Sequence, residues 1–261
     1  PMHLAAAIEG WRKQRTEAIP RWLDSMGVFE TLLSLAVYRY ERSDDVLPEF
    51  LDASPTLTAR EMGHPLLPAD ERICNDVQFG DSLRLMMVSG SNMSGKSTYL
   101  RTIGCNVVLA MAGAPVVAKT FQLSPLRVAS SMRIQDSLQT GTSHFYAEIK
   151  RLKLIVEWAE SDEAPVLFLL DEILHGTNSH DRGVGAEAVV SKLLNCGAIG
   201  LVTTHDLALT EFIVRLSQPA KNVHFADQFA DGEMVFDYRC RDGIVQKSNA
   251  IELMRSLGLE V

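Results

Sequence analysis

Gly90-Ser91-Asn92-Met93-Ser94-Gly95-Lys96-Ser97 sets two glycines, with four residues between them, ahead of a lysine and a hydroxyl residue. Glycines at those places let backbone N–H groups converge on phosphate oxygens, and a helix opening at the lysine adds the positive end of its dipole. In such a loop Lys96 reaches the β- and γ-phosphates of a nucleotide and Ser97 ligates Mg²⁺. From average residue usage the bare pattern arises by chance in roughly one chain in a hundred of this length.

About 75 residues later, Val166-Leu-Phe-Leu-Leu170 ends in Asp171-Glu172. An apolar run followed by two acids puts the carboxylates at the carboxyl end of a buried strand, where open α/β sheets bind ligands. Asp171 is expected in the Mg²⁺ shell, and Glu172 is placed to orient and deprotonate an attacking water. Taken alone, the same run also describes a strand leaving into a solvated turn. Thr203-Thr204-His205-Asp206 closes the next apolar run, so His205 is either a structural histidine or a sensor of the γ-phosphate.

The elements that must position these residues are legible around them. Leu83 to Ser89, Val166 to Leu170 and Ala198 to Thr203 are continuous apolar runs, as in strands buried on both faces of a parallel sheet. Between them, Phe145, Ile149, Leu152 and Val156 mark a helix, and others are expected through Leu100, Val107 and Met111 and from about Val184 to Leu194. The alternation predicts an α/β domain with a mostly parallel central sheet and flanking helices. Glu233 to Arg239 reads as a strand leaving the turn Asp231-Gly232, and a closing helix from Ser248 or Asn249 carries Ile251, Met254 and Leu257 inward.

Residues 1–60 differ in character and predict a small helical segment before a domain spanning 61–261. Trp22, Met26, Phe29, Leu33, Ala36 and Tyr40 recur at steps of three and four, the spacing of one helix face. The segment breaks at Pro48, and Asp52 to Pro55 reads as a loop. The stripe fits a plain packing helix or a lever that connects the second domain to something upstream.

Composition excludes several classes. With 25 Lys plus Arg against 33 Asp plus Glu the net charge is −8. Such a chain is a poor wrapper of nucleic acid, because phosphate affinity comes from many basic contacts. Gly104 to Ala118, the longest nearly uncharged stretch, is shorter than the ~20 residues of a spanning helix, so no membrane segment is expected. Cys74, Cys105, Cys196 and Cys240 lack zinc-site spacing and read as reduced core thiols of a cytoplasmic protein. The opening Pro1-Met2 runs straight into helical sequence, which reads as one piece of a longer protein.

With these motifs together, the chain resembles the ATPase domain of the MutS family of DNA mismatch repair proteins, within the wider ABC-type ATPases. The resemblance rests on Ser91 through Arg101, on Asp171-Glu172-Ile173 with Gly176-Thr177-Asn178-Ser179, and on Thr204-His205. It covers about three quarters of the chain, from His64-Pro65 to Gly243 and the closing helix. It implies ATP or ADP with Mg²⁺ held by Gly90, Ser91, Asn92, Met93, Ser94, Gly95, Lys96, Ser97 and Thr98, with Asn92 on phosphate, Ser97 and Asp171 on the metal, and Lys96, Glu172 and His205 catalytic. Gln139 to Phe145 becomes the signature segment, whose Ser143 reaches in trans to the nucleotide of a partner in a head-to-tail homodimer. Ser143 is equally an N-cap for the helix of Phe145. Gly176 to Asp181 becomes the loop communicating between the two sites.

The chain departs from the family pattern at several places. His175 and Arg182 stand where Arg and Gly are usual, a shorter stretch before Asp136 leaves Gln135 as the counterpart of a loop sensing Mg²⁺ and γ-phosphate, and Arg72 or Ile73 stands where an aromatic often stacks on adenine. The mismatch-reading module, clamp and long lever arms are absent, so any DNA contact is expected through other parts of a full-length protein. The implied function is ATP hydrolysis that drives conformational switching of a DNA repair or recombination protein. The alternative is a nucleotide-dependent scaffold with little turnover. A transporter's energising subunit is disfavoured by Asn92-Met93 and Gly176-Thr177.

Overall fold

The apolar runs around the two motifs form strands with no exposed face, and the remaining elements are arranged to cover them. The computed structural model describes residues 2–132, 144–161, 164–230 and 233–245. The chain divides into two compact units, Pro1–Asp44 and Asp45–Val261.

The first unit consists of α1 (Met2–Arg15) and α2 (Ala18–Glu41). Pro20 falls in the first turn of α2, where a missing N–H removes no helical hydrogen bond. The apolar stripe expected from Trp22 to Tyr40 does lie on one helix. None of the residues of α1 or α2 is buried, and Met26, Phe29 and Leu33 are each more than half exposed.

Residues 45–60 belong to the second unit rather than to a helical segment ending at 60. The reason is pairing: β1 (Glu49–Phe50) runs parallel to β5 (Thr120–Leu123), and β2 (Leu57–Met62) runs antiparallel to both β5 and β3 (Asn75–Phe79). Leu57, Ala59 and Met62 are buried by that sheet. Its strand order is β1-β5-β2-β3.

The larger sheet has six strands in the order β10-β9-β4-β8-β7-β6, comprising β4 (Leu85–Ser89), β6 (Arg127–Ser131), β7 (Val166–Leu170), β8 (Ile199–Thr204), β9 (Ala220–Ala230) and β10 (Glu233–Asp242). All neighbours are parallel except the β9–β10 pair. Successive side chains of a strand point to opposite faces, and the core divides accordingly. Met86, Val88, Leu167, Leu169 and Leu201 pack with Leu100, Ile103 and Val107 of α3 (Lys96–Met111) and with the smaller sheet. Leu85, Met87, Phe168, Leu170 and Val202 face Leu152 and Ile155 of α4 (His144–Glu160), Val190 and Leu193 of α5 (Ser179–Asn195), and Phe212 of the 3₁₀ helix Leu207–Arg215.

Two local expectations shift. On α4 Leu152 and Ile155 are buried, with Phe145 and Val156 partly buried against the same core, while Ile149 is exposed. The four cysteines are free, as expected, but half-buried rather than core residues. No helix among the described residues is long and apolar enough to cross a membrane. The turn Asp231-Gly232 and the expected closing helix through Ile251, Met254 and Leu257 lie outside the described residues.

Candidate functional site

β4 ends at Ser89 and the chain enters the glycine loop with Gly90 at φ +149°, a backbone that side chains rarely adopt. A Cβ there would meet the carbonyl oxygen of Phe225 at 2.8 Å and Ser94 Oγ at 2.9 Å. Gly95, at φ +108°, is the N-cap of α3, and a Cβ on it would meet the Tyr238 ring at 3.1 Å. Glycine is therefore required twice, once by the loop's fold and once by its neighbours. Asn92 and Met93 are exposed on the loop and Ser94 is buried. The hydroxyl oxygens of Ser91 and Ser94 are buried without a hydrogen-bond partner. Orphaned polar atoms of this kind are what a phosphate-binding loop offers an anion.

Lys96 is buried, and its Nζ donates to the carbonyl oxygens of Gly90 and Ser91, each at 2.8 Å. Burial pushes its pKa below the usual lysine value, while the carboxylates of Glu172, Asp171 and Asp227 pull the other way. Three carboxylates thus bear on one buried ammonium. Ser97 and Thr98, with Asn92, Met93 and Gly95, line a cavity of about 450 Å³ that Glu172 also borders.

The second strand end stands two strands away. β8 lies between β4 and β7, with Ser89 level with Thr204 and Leu170 level with Val202. The glycine loop, Asp171-Glu172 and His205 thus leave three adjacent parallel strands on the same side. The Thr203 hydroxyl ties two of them together: it donates to Asp171 Oδ1 at 2.6 Å and accepts from the Glu172 N–H at 2.9 Å. Past it, Glu172 and Leu174 both take positive φ, +52° and +56°. Glu148 of α4 holds this turn by accepting the Leu174 N–H at 2.6 Å. His205 Nδ1 lies 3.5 Å from Glu172 Oε1.

The loop Gly176 to Asp181 leads into α5, capped by Asn178, whose side chain accepts the Asp181 N–H. Arg182 binds back across it, from Nη1 to Asp206 at 3.4 Å and from Nη2 to the Thr177 carbonyl at 3.3 Å. Arg182 thereby connects this loop to the residue after His205.

Of Arg72 and Ile73, it is Ile73 that lines the cavity, together with Met62 and Leu67. The stem of Arg72 packs against Gly63 instead. Tyr238, far away in sequence, contributes an aromatic wall to the same cavity. It sits at φ +54° in a bulge of β10, where Asn75 donates to the Tyr238 carbonyl and accepts the Cys240 N–H. No local pattern announces Tyr238, because its position depends on a bulge clamped from 163 residues away. Thr203 had a weak signal, a hydroxyl residue ending an otherwise apolar run. Ser143, Gln135 and Gln139 to Thr142 lie outside the described residues.

Residues 86–260 match the family described as MutS domain V. The chain belongs to the MutS family. It is 31% identical over 242 residues to a DNA mismatch repair protein MutS of Streptococcus uberis, covering 90% of this chain and 28% of that protein. To DNA mismatch repair protein MutS 2 of Halobacterium salinarum it is 36% identical over 200 residues, 75% of this chain and 23% of the relative. To endonuclease MutS2 of Thermomicrobium roseum it is 30% identical over 232 residues, 83% and 28% respectively. The chain spans less than a third of the length of these relatives.

Proposed function

We propose that this chain binds ATP with Mg²⁺ and hydrolyses it, as an ABC-type ATPase in which two copies pair head to tail. Each nucleotide would lie between one glycine loop and the partner subunit's Ser143. The observation that carries the reading is the arrival of Lys96, Asp171-Glu172 and His205 at the ends of three adjacent parallel strands, with buried, partnerless hydroxyls on the loop between them.

In this reading the loop from Gly90 to Thr98 wraps the phosphates, and Lys96 turns its ammonium from the loop carbonyls toward them. Ser97 and Asp171 would hold Mg²⁺, since their oxygens suit a hard cation, and the bound ion would neutralise phosphate charge. Thr203 keeps the Asp171 carboxylate aimed while anchoring the backbone of Glu172. Glu172 orients the attacking water and takes its proton, and His205 faces the γ-phosphate. Ile73 and Tyr238 offer the base an apolar and an aromatic wall.

Binding that joins two copies and hydrolysis that parts them would switch attached segments between arrangements. Relatives named DNA mismatch repair proteins support extending this reading to a DNA repair or recombination protein, for which a cytoplasmic location is part of the proposal. With a net charge of −8 on this chain, DNA contact would fall to other parts of the full-length protein.

The test is ATP binding, turnover and self-association of the wild type, Lys96→Ala, Glu172→Gln and Ser143→Ala. Glu172→Gln should bind ATP, remain dimeric with it and lose about 10²–10⁴-fold in turnover. Lys96→Ala should bind ATP weakly, and Ser143→Ala should lose ATP-dependent dimerisation. Wild-type turnover by Glu172→Gln would remove that residue as base. Tight ATP binding by a wild type that turns over nothing would replace the enzyme with a nucleotide-dependent scaffold.

A further inference from the structure

Glu172, His175 and His205 bring one carboxylate oxygen and two imidazole nitrogens within 4.8 Å of one another, the only such cluster among the described residues. We propose that these three side chains form a binding site for a divalent transition-metal ion of the Zn²⁺ class, distinct from the Ser97–Asp171 oxygens assigned to Mg²⁺. The donor set is two histidines and a glutamate, which open zinc sites use with the fourth position left to solvent.

Geometry favours it. Ligand atoms around a tetrahedral zinc, each about 2.1 Å from the metal, stand about 3.4 Å apart. Glu172 Oε1 and His205 Nδ1 are already 3.5 Å apart. The His175 and His205 rings meet edge to face with centroids 5.0 Å apart, so a small rotation of the exposed His175 ring completes the triangle. The backbone beneath is held on both sides: Thr203 Oγ1 accepts the Glu172 N–H, and Glu148 accepts the Leu174 N–H. Positive φ at Glu172 and Leu174 turns the chain so that His175 comes back over His205. Imidazole donors select Zn²⁺, Co²⁺ or Ni²⁺ over Mg²⁺, which prefers oxygen.

The consequence rests on the proposed ATPase reading; the binding does not. A metal held here occupies the Glu172 carboxylate, so it blocks proton removal from water while leaving the glycine loop free to bind nucleotide.

Co²⁺ is the first probe, added without nucleotide to the 261-residue chain and followed by visible absorption. The wild type should show tetrahedral d–d bands without near-ultraviolet thiolate charge transfer, and His175→Ala and His175→Gln should lose them. Bands that persist in both variants, or that carry thiolate charge transfer from the free cysteines, would overturn the site. In saturating Mg²⁺ and ATP, Zn²⁺ should inhibit the wild type, and the His175 variants should need about tenfold more or beyond for the same inhibition. Equal inhibition of all three would overturn the regulatory consequence. A chain that binds Co²⁺ through His175 but hydrolyses no ATP in Mg²⁺ alone would overturn the ATPase reading and leave the metal site in place.

Discussion

From Ala18 to Glu41 apolar residues recur at helical spacing as regularly as they do in α5, but the two helices end in different circumstances. α5 seals Ala186, Val190, Leu193 and Leu194 against the large sheet, whereas α2 leaves Trp22, Met26, Phe29 and Leu33 exposed. Periodicity decides that each is a helix, because it states which residues share a face. Whether the face is covered depends on a second surface, and burial is what converts the same residues into stability. The second unit also shows what burial does to chemistry, since Lys96, Tyr99 and Cys240 all owe their shifts first to loss of water.

The contrast can be broken by substitution. Phe168→Ala, at a fully buried position of β7, should cost about 3–5 kcal/mol in urea unfolding of the 261-residue chain. A loss near that of a surface substitution would mean that the sheet's second face is not the tight core described. Cys240, whose thiol burial pushes up to about 11, should alkylate at pH 8 about a hundredfold more slowly than an unburied cysteine, as peptide mapping would show. Its reaction should rise with pH well beyond the range where ordinary thiols level off, because the thiolate is the nucleophile.

Thr203→Val keeps the shape of the side chain but strips Asp171 and the Glu172 N–H of their shared partner. It should cost about 1–3 kcal/mol in the same unfolding measurement. Unchanged stability would show that water replaces the hydroxyl there. At the small end, Leu33→Ala on α2 should shift stability by no more than about 0.5 kcal/mol. A loss of several kcal/mol would sharpen the comparison in the opposite sense, by showing that this face is covered in solution.

Much of the larger sheet was readable because strands buried on both faces leave an uninterrupted apolar run. Val166 to Leu170 has that form, and the observed strand has the same bounds. The smaller sheet was not. β1 and β2 hide in a stretch that carries Pro48 and Pro55, and they become strands only through pairing with β5, about 60–73 residues later. In the site, Gly90, Gly95, Lys96, Asp171 and Glu172 are recognisable because their spacing is local and the backbone chemistry demands those residue types. Tyr238 was invisible, and Ile73 could not be separated from Arg72, because which neighbour turns inward depends on where Gly63 makes room for an arginine stem.

The sequence by itself determined a glycine loop followed by a helix, two acids at the end of a buried strand, and a third strand closing on a histidine, since each is a short-range consequence of residue type and period. Only the tertiary structure decided that β8 inserts between β4 and β7 and that Thr203 ties the end of β8 to that of β7. It alone brought His175 onto His205 and set Tyr238 against Gly95. Those relations join residues far apart along the chain, and strand order and bulge position are settled by what packs together rather than by any local preference.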